Sequence, residues 1–419
     1  MWGNIQVKRQ LSTLLPPVGK RSIVLVTGAR QTGKTTLVRS GYAQLPYYNL
    51  DAIELREQLG RISSFRWGLD VGEAVIDEVQ KAPQLMEKLK YAMDEQAIRF
   101  SVLTGSAQLM LLRSVRETLA GRITLFELFP FMFQEMLAPD RVVRPEPLFF
   151  KLVSGGSLDE VLEALPSVLL GMEQDKAAQT ESFLYTVGGM PPLIHIALER
   201  ERQFWTSDYN QTYLERDLAD LASLNDLKPF RRFHQLSALR AGQLLSYSDL
   251  ARDAGIAVET ARRYLEYLRI SYQAFLVQPY YRNLTSTLVK TPKLYWFDNG
   301  LLRHLSGLGS VPDTGSLYEN YLAAELMKYI RTMRLDLKLY FYLTRSGMEV
   351  DFLLESTAGV LGIEVKNRDD VVKSDFSRLK ALGQALGEAW LGGLVVYRGN
   401  TLYQQEPGFW AVPSTRLLQ

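Results

Sequence analysis

Hydrophobic positions along this chain follow two rhythms, and the switches between them mark its elements. Ser22–Thr27, "SIVLVT", is an unbroken, β-branched apolar run, the pattern of a parallel strand buried on both faces. "EAVIDEVQKAP" and "RFSVLTGSAQ" hold similar runs that end in polar residues, and each predicts a strand. Leu137–Leu158 is rich in Pro, Gly and Arg and reads as a connection or lid element leaving this first unit. Helical spacing then dominates to about Leu224, interrupted by a tight turn at Gly188–Leu193, "GGMPPL". Within it, Phe204–Leu224 has long helical periodicity and mixed charge, the mark of a solvated face.

Phe230–Lys293 changes rhythm again. One helix is "PFRRFHQLSALRAG"; a second, "SYSDLARDAG", opens on serine caps; Gly255 makes a turn into a third, "VETARRYLEYLRIS". Two strands follow, "AFLVQPYYRN" and "KLYWF". That order is a winged helix-turn-helix. The last stretch begins with the helix "SLYENYLAAELMKYI" and continues into "KLYFYLT", "MEVDFLLE" and "VLGIEVK", the first two strands joined by a hairpin at Arg345–Gly347.

Composition narrows the chemistry. The 419 residues exceed one ordinary core, and two to four domains are expected. The chain has no cysteine, which removes disulfides, zinc ribbons, iron–sulfur clusters and thiol nucleophiles together. Three scattered histidines argue against a His-rich metal site. No apolar run reaches bilayer length and no signal-peptide core opens the chain, so a cytoplasmic location without a membrane partner is expected. A net charge of +2 means that any nucleic-acid surface is local.

The first strand runs into "GARQTGKTT", which completes the pattern G-x-x-x-x-G-K-[ST] with Gly28, Gly33, Lys34 and Thr35. Glycines let backbone N–H groups curl around phosphates, and the following helix aims its N-terminus at the anion. Gly28, Ala29, Arg30, Gln31, Thr32, Gly33, Lys34, Thr35 and Thr36 are therefore the expected ATP-binding residues. Lys34 reaches the β- and γ-phosphates, and the Thr35 hydroxyl ligates Mg²⁺. Asp77, ending the second strand, helps hold Mg²⁺, and Glu78 orients or deprotonates the attacking water. Ser106 after the third strand is the first choice for a polar group beside the γ-phosphate, with Thr104 second.

"TGARQTGKTTL", "AVIDEVQKAP", "VLTGSAQ" and "ETLAGRITLFELFPF", with "YLERDLADL", "KTPKLYWFDNGLLRHL", "LYENYLAAEL", "EVDFLL" and "IEVK", resemble a bacterial and archaeal family. These are AAA+-like P-loop ATPases whose C-terminal half is a domain of unknown function. The resemblance implies an α/β protein: a P-loop NTPase core over 1–140, a helical lid or linker region over 141–226, a winged helix-turn-helix over 227–300 and a restriction-endonuclease-like α/β domain over 301–419. It also implies an arginine reaching a neighbouring subunit's γ-phosphate, with Arg122 the best placed and Arg113 and Arg116 behind it, while an ordinary basic helix end stabilised by the helix dipole explains Arg122 equally well. That role would make the protein a homo-oligomer, as in a hexameric ring.

Between Lys228 and Lys293 stand eleven basic and four acidic residues, a local excess of seven positive charges suited to phosphate contact. Glu259, Thr260, Arg262, Arg263 and Tyr267 are the residues expected to face a DNA groove, with Tyr281 and Arg282 near the wing; a protein–protein or lid module with a solvated basic face is the alternative. In the last unit, Asp351 on one strand and Glu364 and Lys366 on another share a face if the strands pair. With Glu319 on the preceding helix they look like a PD-(D/E)xK nuclease core, although Val350 stands where that pattern has proline. Carboxylates there would bind Mg²⁺, and Lys366 would polarise water. An inter-strand salt bridge explains the same residues without chemistry. The chain thus reads as a Mg²⁺-dependent ATPase that binds and remodels DNA, branched DNA such as Holliday junctions included. The alternatives are a nucleotide switch controlling protein assembly and an ATP-regulated, metal-dependent nuclease.

Overall fold

Why the first strand is apolar without a break is plain from its neighbours. In the computed structural model, which describes residues 6–106, 119, 121–212, 227–281, 289–307 and 314–419, β1 (Ser22–Gly28) is buried along its whole length. It pairs in parallel with β4 (Phe100–Ser106) on one side and β5 (Ile123–Glu127) on the other. Ile23 and Leu25 join one apolar cluster with Ile76, Leu89 and Leu103, while Val24 and Val26 join another with Leu37, Val38 and Phe126. Both faces are thus covered, as a parallel sheet requires. The order is β2 (Tyr47–Asn49), β3 (Val75–Asp77), β4, β1, β5. The acidic strand β3 is therefore not beside β1; β4 lies between them. Helix α1 (Lys34–Gly41) follows β1 across the glycine loop, α2 (Ile53–Arg61) and α3 (Trp67–Asp70) lie between β2 and β3, and α4 (Leu85–Asp94) lies between β3 and β4.

Beyond β5 come α5 (Phe133–Leu137), α6 (Leu148–Val153), α7 (Leu158–Glu163), α8 (Met172–Thr186) and α9 (Glu199–Thr212). The sequence assigns this region to a lid on the ATPase core; the structure lays much of it on the C-terminal unit instead. Leu148 N–H donates to the Gln419 carbonyl at 3.0 Å, Ser356 Oγ to the Val153 carbonyl at 2.7 Å, and Trp410 Nε1 to Asp159 Oδ1 at 2.7 Å. The physical reason is apolar: Phe149, Leu152, Leu162 and Leu184 belong to the same core cluster as Tyr321, Leu394 and Leu417. Helix α9 turns toward the nucleotide loop, through Tyr209.

The helices α10 (Lys228–Ala238), α11 (Tyr247–Ala254) and α12 (Val258–Ile270) precede a hairpin of β6 (Ala274–Pro279) and β7 (Lys293–Trp296). Ser246 Oγ caps α11 by accepting from Asp249 N–H at 3.2 Å, and Gly255 makes the left-handed turn into α12 at φ +72°. After α13 (Asn299–Leu305) and α14 (Gly315–Thr332), the chain forms β8 (Lys338–Leu343), β9 (Glu349–Glu355) and β10 (Val360–Lys366). It continues through α15 (Ser377–Leu386), β11 (Trp390–Tyr397), β12 (Tyr403–Glu406), β13 (Phe409–Pro413) and α16 (Ser414–Leu417). β8–β9 and β9–β10 are antiparallel and β10–β11 is parallel. β6 pairs in parallel with β8 through Gln278↔Tyr340 and Pro279↔Phe341, so one sheet runs across residue 300: β12-β13-β11-β10-β9-β8-β6-β7.

Glu181 on α8 is buried where α8 meets α14 and α16; Ser414 Oγ donates to it, and Tyr318 Oη does so at 3.5 Å. Burial pushes its carboxyl up to about 7. The fold therefore favours the protonated acid, and that preference stabilises fully below the unfolded value and is lost as pH rises through about 7. Glu181→Gln, which keeps the shape and stays neutral, is expected to flatten the fall. Between about pH 5 and about pH 8, wild type should lose on the order of 2–3 kcal/mol more than the variant in urea unfolding.

Candidate functional site: the nucleotide loop and its acid strand

Gly28 ends β1 against the chain leaving β5: a Cβ there would sit 2.1 Å from the Leu128 carbonyl oxygen. No other residue fits without moving that backbone. The loop that follows is braced from within, Thr32 Oγ1 donating to the Ala29 carbonyl at 2.9 Å. Gly33 takes φ +93° and starts α1. Lys34 is buried, its ammonium donating to the carbonyls of Gly28 at 3.1 Å and Ala29 at 2.8 Å. Arg30 and Gln31 lie on the loop's outer side, half-buried and exposed, Gln31 at φ +60°; Thr36 is exposed on α1.

Asp77 is where the site converges. Only 3% exposed, it accepts from Thr35 Oγ1 at 2.7 Å and Tyr47 Oη at 2.6 Å through Oδ2. Through Oδ1 it accepts from Thr104 Oγ1 and from the Glu78 N–H at 3.1 Å. Thr35 and Asp77, a hydroxyl on α1 and a carboxylate at the end of β3 joined by a hydrogen bond, are the oxygen donors that suit Mg²⁺. The glycine-lined loop beside them fits the phosphates of a nucleotide. Glu78 sits in the left-handed region at φ +57° with its carboxylate held by Gln80 Nε2. A strained backbone at that position aims the side chain where a strand residue could not reach.

The second-choice Thr104 is thus the buried partner of Asp77. Ser106 stands opposite Gly28 in the β1–β4 ladder, and its side chain lies outside the described residues. Arg122 is tied to Asp94, Nε to Oδ1 at 2.7 Å. Its carbonyl accepts from Ile23 N–H, at the end of the sheet away from the loop. The structure therefore does not bring Arg122 to its own chain's nucleotide loop. Arg113 and Arg116 lie outside the described residues.

Several site residues carry no sequence signal. Arg9 is buried beneath the loop, donating to the Thr32 carbonyl at 2.7 Å, the Phe129 carbonyl at 2.5 Å and Glu135 Oε1 at 3.2 Å. Tyr47 comes from an edge strand; burial, then the hydrogen bond to Asp77, push its phenol up, so it remains a donor. Tyr209 Oη on α9 reaches the Arg30 carbonyl at 3.5 Å. Glu127, opposite Thr27 on β1, accepts from Tyr272 Oη at 2.9 Å and from Arg331 Nε at 2.8 Å. Tyr272 and Arg331 belong to the C-terminal half, which so grips the strand end one residue from the loop. Burial, then the Glu127 charge, push the Tyr272 phenol well up. The same helix α14 sends Lys328 to the Phe131 carbonyl at 3.0 Å and Glu325 to the Phe133 N–H at 2.7 Å.

On α12, Arg262 and Arg263 are exposed, Thr260 is half-buried and Glu259 is exposed. Arg262 lies over the Tyr247 ring, 4.4 Å from its centroid. Tyr267 does not face outward: it is 7% exposed and packs 6.4 Å from Tyr264 in the core, so it is no groove residue. Helical spacing turns it to the apolar side of α12 with Tyr264 and Leu268. The basic excess is also partly spent within the fold, Arg240 on Asp253, Arg252 on Asp249 and Arg269 on Glu266. Tyr281 is exposed, and Arg282 lies outside the described residues.

In the C-terminal sheet, Asp351 on β9 and Glu364 on β10 do come together: Asp351 Oδ2 accepts from the Val365 N–H at 2.7 Å. Lys366 Nζ donates to Glu364 Oε1 at 2.7 Å. Glu319 stands close enough to Asp351 to feel its charge, and it accepts from Tyr295 Oη at 2.5 Å and Lys293 Nζ at 3.1 Å. Burial, then the Asp351 charge, push both Glu319 and Glu364 up to about 7. Among the described residues no group of three or more His, Cys, Asp or Glu side chains is disposed to hold a metal ion.

Residues 20–137 match the model of an AAA domain. The N-terminal unit is an AAA-type P-loop ATPase domain. Residues 180–311 and 314–417 match two domains of unknown function, DUF8612 and DUF4143. Uncharacterized proteins of Mycobacterium bovis and Mycobacterium tuberculosis are each 28% identical to this chain over 411 residues, covering 94% of it and 81% of their own length. Among solved structures, Cdc6p from Pyrobaculum aerophilum aligns at 13% identity and a TM-score of 0.23, covering 69% of this chain and 86% of its own. A Vibrio cholerae protein aligns at 12% and 0.20, covering 94% and 95%. Those scores are too low to bear on the fold. Among the described residues, no helix is long and apolar enough to cross a membrane.

Proposed function

We propose that this protein is a Mg²⁺-dependent ATPase that binds and remodels DNA, branched DNA such as a Holliday junction included, and that it works as a homo-oligomer. ATP would supply a phosphoanhydride bond, and Mg²⁺ the charge that draws its phosphates into the loop. Lys34 and the N-terminus of α1 would hold those phosphates; Thr35 and Asp77 would hold the ion. Glu78 would orient the attacking water and take its proton at the carboxylate.

The observation that carries the reading is the grip on Glu127. Arg331 and Tyr272, from the half that also bears α10–α12, hold the strand end adjoining the nucleotide loop. A change of loop geometry has a direct mechanical path to the three-helix unit. That unit supports DNA contact because it presents Arg262 and Arg263 on the exposed side of the helix following the Gly255 turn.

Linear, forked and four-way DNA should each raise the ATPase rate, the four-way substrate most. Arg262→Glu with Arg263→Glu should remove the stimulation and leave the basal rate intact. Equal, unstimulated rates on all three substrates would sink the proposal.

A further inference from the structure

The acid group in the C-terminal sheet is crowded by a lysine that its motif does not contain. Lys293, on β7, has a side chain only 5% exposed. Its Nζ lies 3.1 Å from Glu319 Oε1 on α14 and 2.5 Å from Glu349 Oε1 on β9. Glu319 Oε1 is also the acceptor for Tyr295 Oη. That one carboxylate oxygen therefore already has two donors.

The rest of the group is similarly committed. Glu364 Oε1 has Lys366 at 2.7 Å and Arg378 at 3.6 Å, while Asp351 Oδ2 is taken by a backbone N–H. Among the described residues Glu364 Oε2 is buried without a hydrogen-bond partner, a feature that invites a ligand. A magnesium ion needs near-octahedral oxygen donors at about 2.0–2.1 Å. Bringing a divalent ion beside a buried ammonium adds like-charge repulsion where screening is weak. Burial by itself would pull Lys293 down, but Glu319, Glu349 and Asp351 outweigh it and drive it upward, so the ammonium stays charged.

We propose that the Lys293 ammonium is the resident cation of this acid group, which accordingly takes no divalent metal and instead cross-links the β6–β7 hairpin to α14 and β9. The nuclease-like arrangement of Asp351, Glu364 and Lys366 is then a structural charge cluster. It is not a phosphodiesterase centre.

Electron paramagnetic resonance of Mn²⁺ titrated into nucleotide-free, full-length protein decides this. Wild type and Asp351→Asn should bind the same number of Mn²⁺ equivalents, because any ion at the Thr35–Asp77 site is common to both. Lys293→Met should gain one equivalent over wild type. Wild type binding one equivalent more than Asp351→Asn would overturn the proposal, as would a folded Lys293→Met protein that gains none. Should Lys293→Met fail to fold, the comparison of wild type with Asp351→Asn still decides.

Discussion

Asp77→Asn is expected to lower ATP turnover about 10²–10³-fold, the scale seen when one preorganised electrostatic group is removed from a reaction centre. Four donors converge on this carboxylate: two hydroxyls on Oδ2, and a hydroxyl with a backbone N–H on Oδ1. Asparagine keeps the shape but turns one oxygen into a donor. The amide nitrogen takes the Oδ2 place, because the Glu78 N–H at Oδ1 can only donate; the hydroxyls of Thr35 and Tyr47 must then rotate to accept, and the charge that would neutralise Mg²⁺ disappears. Fold stability should move little, by about 1 kcal/mol or less, because removing a buried charge also removes its desolvation cost. The variant should therefore melt like wild type while turning over little ATP. A steady-state ATPase assay beside a thermal melt checks both halves. Turnover within about tenfold of wild type would show that Asp77 does not hold the ion during the reaction.

Lys328→Ala should act oppositely, on the fold. Lys328 and Glu325 are each 3% exposed at the side chain and form an ion pair within α14. They also hold the backbone of Phe131 and Phe133, the segment leaving β5. Burial already pushes the Glu325 carboxyl up, and Lys328 restrains it. Removing the ammonium leaves an uncompensated buried charge, worth about 3–5 kcal/mol of stability. The acid would escape part of that cost by taking a proton. The sign follows: with its folded value raised further, Glu325 favours the fold at low pH and costs stability as pH rises through that value. The loss on Lys328→Ala should thus be greater in alkaline than in mildly acidic buffer. Lys328→Met combined with Glu325→Gln should recover most of it, since the pair is then replaced and not broken. A double change no more stable than the single one would show that the pair's charge is not what matters.

How far the sequence reveals these sites depends on chain distance. Gly28, Gly33, Lys34 and Thr35 lie within one short stretch, and Asp77 ends the next apolar run read from the sequence, so local pattern finds them. The parallel β1 and β3 are equally legible, because strands covered on both faces must be apolar throughout. Arg9 and Tyr47 are different. Each reaches the site from an element with no motif of its own, and only the strand order and the path of the N-terminal segment bring them there. Tyr267 fails for a rotational reason: one helix has a wet and a dry side, and the residue five beyond Arg262 falls on the dry one. Lys293 is legible only as one positive charge in a basic stretch. Its partners Glu319 and Glu349 are distant in sequence, and the hairpin must join the C-terminal sheet before they meet.

That joining has a practical side. The ladder between β6 and β8 consists of Gln278↔Tyr340 and Pro279↔Phe341. An expression fragment stopped near residue 300 would leave β6 with a bare edge and strand the Lys293 side chain without Glu319 or Glu349. Exposed edges of this kind recruit other chains. Fragments meant to isolate the three-helix unit should therefore run from Lys228 through the last strand, because the boundary suggested by helix count is a seam in the middle of a fabric.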